Sequence, residues 1–380
     1  MVNQKSLILT LFILQPWLLN GLIRFDIFTI LYCIILWFFK KEIKFPVTEF
    51  LFLSFSLVFV SFFTIIHSEF DISLFKRYIT LSILILGGYY IVNSLNISKK
   101  DLINSLYLII IICFIFYILS IQFDLFRQIS LLLKGETYGI ENKLEVYRLW
   151  FPTSAHTFHL GLFFVVAMAI LLWEKSNLII ILLCIICASI AARSALLMSI
   201  LLCMTYIFLK DKKYIFVIII LLPIAYFSIV YIAEQYTEVK YALEPIENFL
   251  SSGTIQSKSS DDLLEKHLFI PEFKTFILGD GLYTNEDGTF YMHTDSGIIR
   301  PILYGGIIFQ LFYFLFLYRY ISPLLRFGLY GFITVTLLYV ANIKAEILST
   351  TPYLSLLVIL YYINKKEEYN VTNKKNISFS

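Results

Sequence analysis

"HTDSGIIRPILYGGIIFQLFYFLFLY" occupies His293–Tyr318. From Ile298 to Tyr318 the only charged residue is Arg300. About 20 apolar residues in a helix cross a hydrocarbon layer roughly 30 Å thick, so this run has the length of a membrane span. Yet an imidazole, a carboxylate and a guanidinium stand at its mouth, in His293, Asp295 and Arg300. Charge near membrane depth costs free energy unless it sits at the interface or has a task, so the stretch bears on chemistry as well as on fold.

The surrounding chain has the same character. Of 380 residues 59% are hydrophobic and 15% charged, and the mean hydropathy is +0.81, against roughly 25% charged residues in a soluble domain. This composition excludes an ordinary soluble enzyme. It predicts an all-α, polytopic integral membrane protein forming a single membrane domain over 1–380. Apolar runs set against their breaks give twelve spans, at 6–22, 25–39, 47–66, 78–95, 102–121, 156–173, 178–191, 195–209, 214–232, 297–318, 327–343 and 350–363. Lys5 and "SLILTLFILQPWLL" open the chain with no small-residue cleavage pattern after them, which predicts a retained first helix. A net charge of +3 says little across so apolar a chain, and no nucleic-acid partner is expected.

Orientation follows from the basic residues of the short loops. With the N-terminus inside, Lys40, Lys41, Lys44, Lys99, Lys100, Lys175, Lys210, Lys212, Lys213, Arg319, Arg326, Lys365 and Lys366 all fall on the cytoplasmic side. The opposite side receives two long segments, 122–155 and 233–296, which are therefore external. Apolar residues at helical spacing, Phe123 to Leu133 and Tyr236 to Phe249, predict helices lying on the membrane surface within them. A capping pattern at Ser259/Asp262 predicts a further short helix toward Pro271, and Gly279 and Gly281 end the next one in a turn.

Three guanidiniums stand out on the external side. Arg148 precedes the sixth span, Arg193 separates two apolar runs in "SIAARSALL", and Arg300 lies a turn into the tenth. Converging there without an obvious run of carboxylates nearby in the sequence, they would suit an anionic, bidentate ligand such as a pyrophosphate. Plainer roles stand beside this one: Arg148 snorkelling to the interface, Arg193 capping a turn, Arg300 pairing with Asp295, His293 as an exposed loop residue, and Asp295 as a helix N-cap. The remaining signals are weak. Cys184 and Cys187 form a C-x-x-C without polar surroundings, and no acid or cysteine near His156 and His159 completes a metal set. The Gly305-Gly306 pair suits close helix packing.

The "GDG" turn at Gly279–Gly281, "TDSGIIRPILYGG" leading into a helix, "RLWFPTSAHTF" and "ARSA" together resemble the O-antigen polymerase (Wzy) family, within the group that also holds the O-antigen ligases. The likeness covers the layout of the whole chain and these short stretches of sequence. It implies an enzyme at the external, periplasmic face of the bacterial cytoplasmic membrane. Its substrate would be undecaprenyl-pyrophosphate-linked oligosaccharide, with no metal, nucleotide sugar or other cofactor and with a chain-length regulator protein as a candidate partner. Arginines would hold the pyrophosphate, and a base would take the proton of the acceptor hydroxyl. In the ligases the base is a histidine about eleven residues before a helix glycine. Counting back from Gly306 reaches Asp295, with His293 displaced by two, so both stay candidates. "DSGIIR" in place of a ligase-like "HN" favours polymerase over ligase, and the near absence of charge inside the spans disfavours a flippase or transporter.

This topology is directly testable. Reporter fusions after Lys213 and Lys366 should read as cytoplasmic, and fusions near Glu141 and Ser257 as external. A cytoplasmic signal at Ser257 would turn the candidate site to the wrong compartment.

Overall fold

Apolar runs with few breakers fold as helices because every backbone donor and acceptor is then satisfied within the segment. The structure, a computed structural model, describes residues 3–18, 23–40, 45–67, 71–134, 150–155, 157–210 and 263–378. It is mostly helical: α1 (Gln4–Leu14), α2 (Phe25–Lys40), α3 (Val47–Ile66), α4 (Ser73–Ser94), α5 (Lys99–Gln122), α6 (Asp124–Leu132), α7 (Thr157–Trp173), α8 (Leu178–Ala191), α9 (Arg193–Lys210), α10 (Phe273–Leu278), α11 (Ile299–Ile321), α12 (Gly328–Lys344) and α13 (Pro352–Ser378). The only sheet among the described residues pairs β1 (Trp17–Leu18) with β2 (Ile23–Arg24). Among the described residues four helical stretches are long and apolar enough to cross a membrane: Val47–Ile66, Ser73–Ser94, Lys99–Gln122 and Ile299–Lys344, the last holding both α11 and α12. Five shorter apolar helices join them.

Ten of the twelve predicted segments fall on helices, though the fourth begins earlier, at Ser73, and the last runs well beyond 363, to Ser378; the ninth, 214–232, lies outside the described residues. The first needs correction. Its helix stops at Leu14, because Gln15 turns left-handed at φ 49 and Pro16 cannot continue the helix. Of the surface helices, α6 is present over Asp124–Leu132, and Arg127 donates from Nε to the Ser120 carbonyl at 2.7 Å, satisfying the end of α5. The segments 236–249 and 259–262 lie outside the described residues, as does Arg148.

Alternation of the loops is visible in the packing. At one end of the bundle Asn3 donates to Asp101 at 2.8 Å, and Glu49 accepts from Arg319 at 2.7 Å and Lys365 at 2.8 Å. This is the end the lysine-rich loops share. At the other, Arg24 donates to the Thr350 hydroxyl at 2.8 Å, the Tyr283 N–H to Asp71 at 2.7 Å, and the Glu346 N–H to the Asp295 carbonyl at 3.0 Å. The α8–α9 turn is there too, since Gly161, near the start of α7, lets Ala192 and Ala195 pack against it. Between the ends, α7 is buried from Leu160 to Leu172 and α13 from Pro352 to Leu360, whereas α2, α3 and the outer flank of α11 expose large apolar side chains. That apolar belt is the surface a bilayer covers.

One irregularity positions everything at the second end. α11 is kinked at Gly305 (φ −142°) and Gly306 (φ 68°). The break frees carbonyls that an unbroken helix would pair internally. The "GDG" turn takes them: the Asp280 N–H donates to the Leu303 carbonyl at 2.6 Å and the Gly281 N–H to the Tyr304 carbonyl at 3.0 Å. Gly279, at φ 77°, ends α10, and Thr275 Oγ1 donates to Asp280 Oδ1 at 2.7 Å to steady the turn. Close approach of the two backbones is what the Gly305-Gly306 pair permits. A Cβ on Gly306 would stand 2.1 Å from the Ile277 carbonyl oxygen.

Gly306→Ala therefore carries both left-handed strain, about 1–2 kcal/mol, and a backbone collision. Gly288 has φ 78° with nothing near its would-be Cβ, so Gly288→Ala carries the strain alone. Thermal unfolding in detergent should show Gly306→Ala clearly less stable than Gly288→Ala. Equal melting temperatures would contradict this reading of the kink.

Candidate functional site

Four separate parts of the chain meet at Glu346. α12 ends at Lys344, Ala345 is extended, and the short loop to α13 is tied down by the buried Asn342. Its Oδ1 accepts from the Ile347 N–H at 3.1 Å and from the Tyr313 hydroxyl at 2.6 Å, and its Nδ2 donates to the Gly297 carbonyl at 2.9 Å. One amide thus fixes both the Glu346 loop and the approach to α11. The Glu346 carboxylate then receives Arg300 Nη1 at 2.9 Å and Arg77 Nη1 at 3.1 Å, with the Tyr283 hydroxyl donating to the same oxygen. Arg77 is fully engaged: its Nε donates to the Leu348 carbonyl at 3.0 Å, Nη2 to the same oxygen at 2.5 Å, and Nη1 also reaches the Tyr283 hydroxyl.

Arg300 is not. Its side chain is 4% exposed and that of Glu346 3%. Among the described residues its Nε and Nη2 have no hydrogen-bond partner. The guanidinium lies instead between two rings, Tyr283 at 3.9 Å and Phe290 at 3.6 Å from the centroids. Two guanidiniums against one carboxylate leave one excess positive charge in a buried place. Each idle buried donor costs about 1–3 kcal/mol, more on a charged group, so the arrangement is expensive unless an anion uses it.

Tyr283 comes from the loop after the "GDG" turn, and Asp71 sets its position. Asp71 Oδ2 accepts from the N–H groups of Tyr283 at 2.7 Å and Thr284 at 2.8 Å, while Oδ1 accepts from the Ser73 N–H at 2.8 Å. Partial burial opposes ionisation of Asp71, but the donors at Ser73, Thr284 and Tyr283 outweigh it and hold the carboxyl below its ordinary value. Burial pushes the Tyr283 phenol up, and the Glu346 carboxylate adds to this against the pull of Arg77 and Arg300, so the phenol stays protonated as a donor. From α7, His159 Nε2 donates to the Glu346 carbonyl at 3.1 Å, and its ring stacks on Tyr353 at 13° between planes.

Of the residues singled out by sequence, Arg300 is at the centre of this cluster. Asp295 and His293 are exposed beside it. Asp295 contributes its backbone, the carbonyl to the Glu346 N–H and the N–H to His267 Nδ1 at 3.4 Å. It does not pair with Arg300, whose carboxylate partner is Glu346. Nor does it cap α11: Ser296 Oγ accepts from the N–H groups of Ile298 at 3.3 Å and Ile299 at 3.4 Å. His293 stands in a short 3-10 turn at φ 53°, directly after Met292 at the same φ. Arg193 opens α9, half-buried, at the same end of the bundle through the Ala192–Gly161 contact.

Lys134 is a further buried cation at this end. Its amine donates to the carbonyls of Thr153 at 3.0 Å and Ala155 at 2.8 Å, pinning the 150–155 loop beneath α6. Burial lowers it to about 7, with Cys113 opposing.

Glu346, Arg77, Tyr283 and Asn342 were not singled out by sequence reasoning. A signal for two of them was available: Arg77 is basic on the side where the short loops should lack positive charge, and Glu346 is an isolated acid between two apolar runs. Tyr283 and Asn342 carry no such mark. No family model matches the chain, and no curated protein or solved structure matches it.

Proposed function

We propose that this protein is a polymerase of undecaprenyl-pyrophosphate-linked oligosaccharide repeat units, of the O-antigen polymerase type. The observation that carries the reading is the buried Arg300 guanidinium with Nε and Nη2 unused. A planar fork held in place by Glu346 and two rings is pre-organised for a phosphate oxygen, and a pyrophosphate leaving group would neutralise the excess charge. Arg193, at the same end, and Arg148 would add to the grip. In the reaction the acceptor hydroxyl attacks the anomeric carbon, the bond from that carbon to the carrier phosphate breaks, and the pyrophosphate leaves with the electron pair. Guanidinium donors oppose the charge that develops there. The proton goes to Asp295 or His293, both exposed where a sugar could reach them. Arg300 is committed to Glu346, which leaves the Asp295 carboxylate outside that ion pair.

In this reading the twelve spans cross the bacterial cytoplasmic membrane, the lysine-rich end faces the cytoplasm, and the Glu346 end faces the periplasm. The membrane-embedded helical body and the opposed loop ends support it. Ligation to a lipid-anchored core sugar is a second reading that would use the same cluster, and "DSGIIR" favours polymerisation. Transport is less well supported, because the described charged groups gather at the two ends while α7 and α13 are apolar between them.

Deletion followed by surface-glycan analysis separates these readings. Loss of a polymerase leaves surface lipid bearing one repeat unit, loss of a ligase strands polymer on its carrier, and loss of a flippase blocks external display. Complementation with Arg300→Lys should restore little polymer, with activity reduced about 100-fold, as expected when a transition-state donor is misplaced. Polymer of normal length from a well-expressed Arg300→Lys protein would count against the proposal.

A further inference from the structure

The stretch from Leu268 to Gly281 does not behave as a solvated loop. Its C-terminal part is bound into the kink of α11, with the Ile277 carbonyl against Gly306 and the N–H groups of Asp280 and Gly281 on the freed carbonyls. The His67 ring, at the end of α3, lies between two carbonyls, with Nδ1 2.8 Å from that of Phe63 and Nε2 3.2 Å from that of Gly279, and Phe63 packs on Gly305. α10 is therefore wedged where the end of α3 meets the outer flank of α11. Gly306 is seven residues beyond Ile299, the first residue of α11. At 1.5 Å per residue the contact lies about 10 Å along the helix axis from its mouth. Interfacial helices immerse their apolar face by about that much, roughly 5–10 Å.

The side chains agree with that depth. Ile270 is 95%, Phe273 82% and Leu278 55% exposed. Singly exposed apolar residues are ordinary, but Leu278 lies against Gly306, two residues from Ile308 of α11, and Ile308 and Ile65 near the end of α3 are 57% and 72% exposed in the apolar belt. Glu272 and Lys274 alternate with them and are exposed as well, so the segment has both the apolar and the charged groups of the headgroup boundary.

We infer that residues 268–278 are seated in the headgroup–acyl boundary of the bilayer on the outer flank of α11, with lipid as the partner and Ile270, Phe273 and Leu278 as the immersed side chains. The same backbone runs through the "GDG" turn to Tyr283, so this anchorage ties the Glu346 cluster to the membrane surface. The inference rests on the kink and the exposed belt and holds whatever reaction the cluster performs.

The test uses the full-length protein in nanodiscs of phosphatidylethanolamine and phosphatidylglycerol. Phe273→Trp and Ile270→Trp are compared with Glu286→Trp in the solvent-exposed turn, reading the emission each adds over wild type. For positions 270 and 273 that emission should be blue-shifted, quenched by acyl-brominated lipid and resistant to aqueous iodide. Position 286 should behave in the opposite way. Iodide quenching at 270 and 273 equal to that at 286, with no effect of bromine, would overturn the inference. So would shielding from both quenchers, which would mean that protein, such as a second copy of the chain, covers the segment.

Discussion

The Glu346 carboxylate is the contact on which one end of this helical bundle depends. It joins α4 through Arg77, α11 through Arg300 and the "GDG" loop through Tyr283, and its own loop is fixed by Asn342. Taking a carboxylate and two guanidiniums out of water is costly, and attraction offsets that cost only when the remaining hydrogen-bonding capacity is also used. Arg77 meets the condition through the Leu348 carbonyl. Arg300 does not, and two of its donors are left over. The Arg319–Glu49 pair at the opposite end also leaves Arg319 Nε without a partner, but at Arg300 the deficit falls on two nitrogens of a guanidinium only 4% exposed.

The kink in α11 is what allows the cluster to form. A straight helix would retain its own hydrogen bonds at Leu303 and Tyr304, and the loop carrying Tyr283 would have no backbone acceptors near the bundle. Broken at Gly305-Gly306, the helix offers two carbonyls, and the "GDG" turn docks on them before Asp71 draws Tyr283 and Thr284 toward α4. Phe290 then lies over the guanidinium on its exposed side. The ordering runs from glycine content to helix break to loop docking to a buried charge, and each step supplies the next with a hydrogen-bonding partner.

Much of the helical layout was legible in the sequence because the hydrophobic effect and backbone satisfaction act over whole segments, and a run such as Lys99–Gln122 has no competing solution. Helix ends are less legible: Gln15 and Pro16 end α1 although its apolar run continues to Leu19, and α13 continues past its apolar run to Ser378; hydropathy alone registers neither. Arg300 was legible because one charge in an apolar run is conspicuous. Its true partner was not, since Glu346 lies 46 residues further on, and only the packing of α11, α12 and α13 brings the two together. Proximity in sequence suggests Asp295 as a cap and as a partner for Arg300; in space Ser296 Oγ accepts the N–H groups at the helix start and Glu346 pairs with Arg300, because side-chain direction rather than spacing decides contact. His159, which has no metal-ligand set around it in the sequence, stands beside Glu346 through the Glu346 carbonyl.

The central claim is that Arg300 is held ready for a phosphate-like anion, and ligand-linked stability tests it most directly. A ligand that binds only the folded state raises stability by RT ln(1 + [L]/Kd). Thermal unfolding of the purified protein in detergent would be followed with increasing inorganic pyrophosphate at constant ionic strength, for wild type, Arg300→Lys and, as a reference at a separate ion pair, Arg24→Lys. The claim expects pyrophosphate to raise the melting temperature of wild type and Arg24→Lys and to leave monodisperse Arg300→Lys unchanged. An equal rise in all three proteins, or none in wild type, would contradict it.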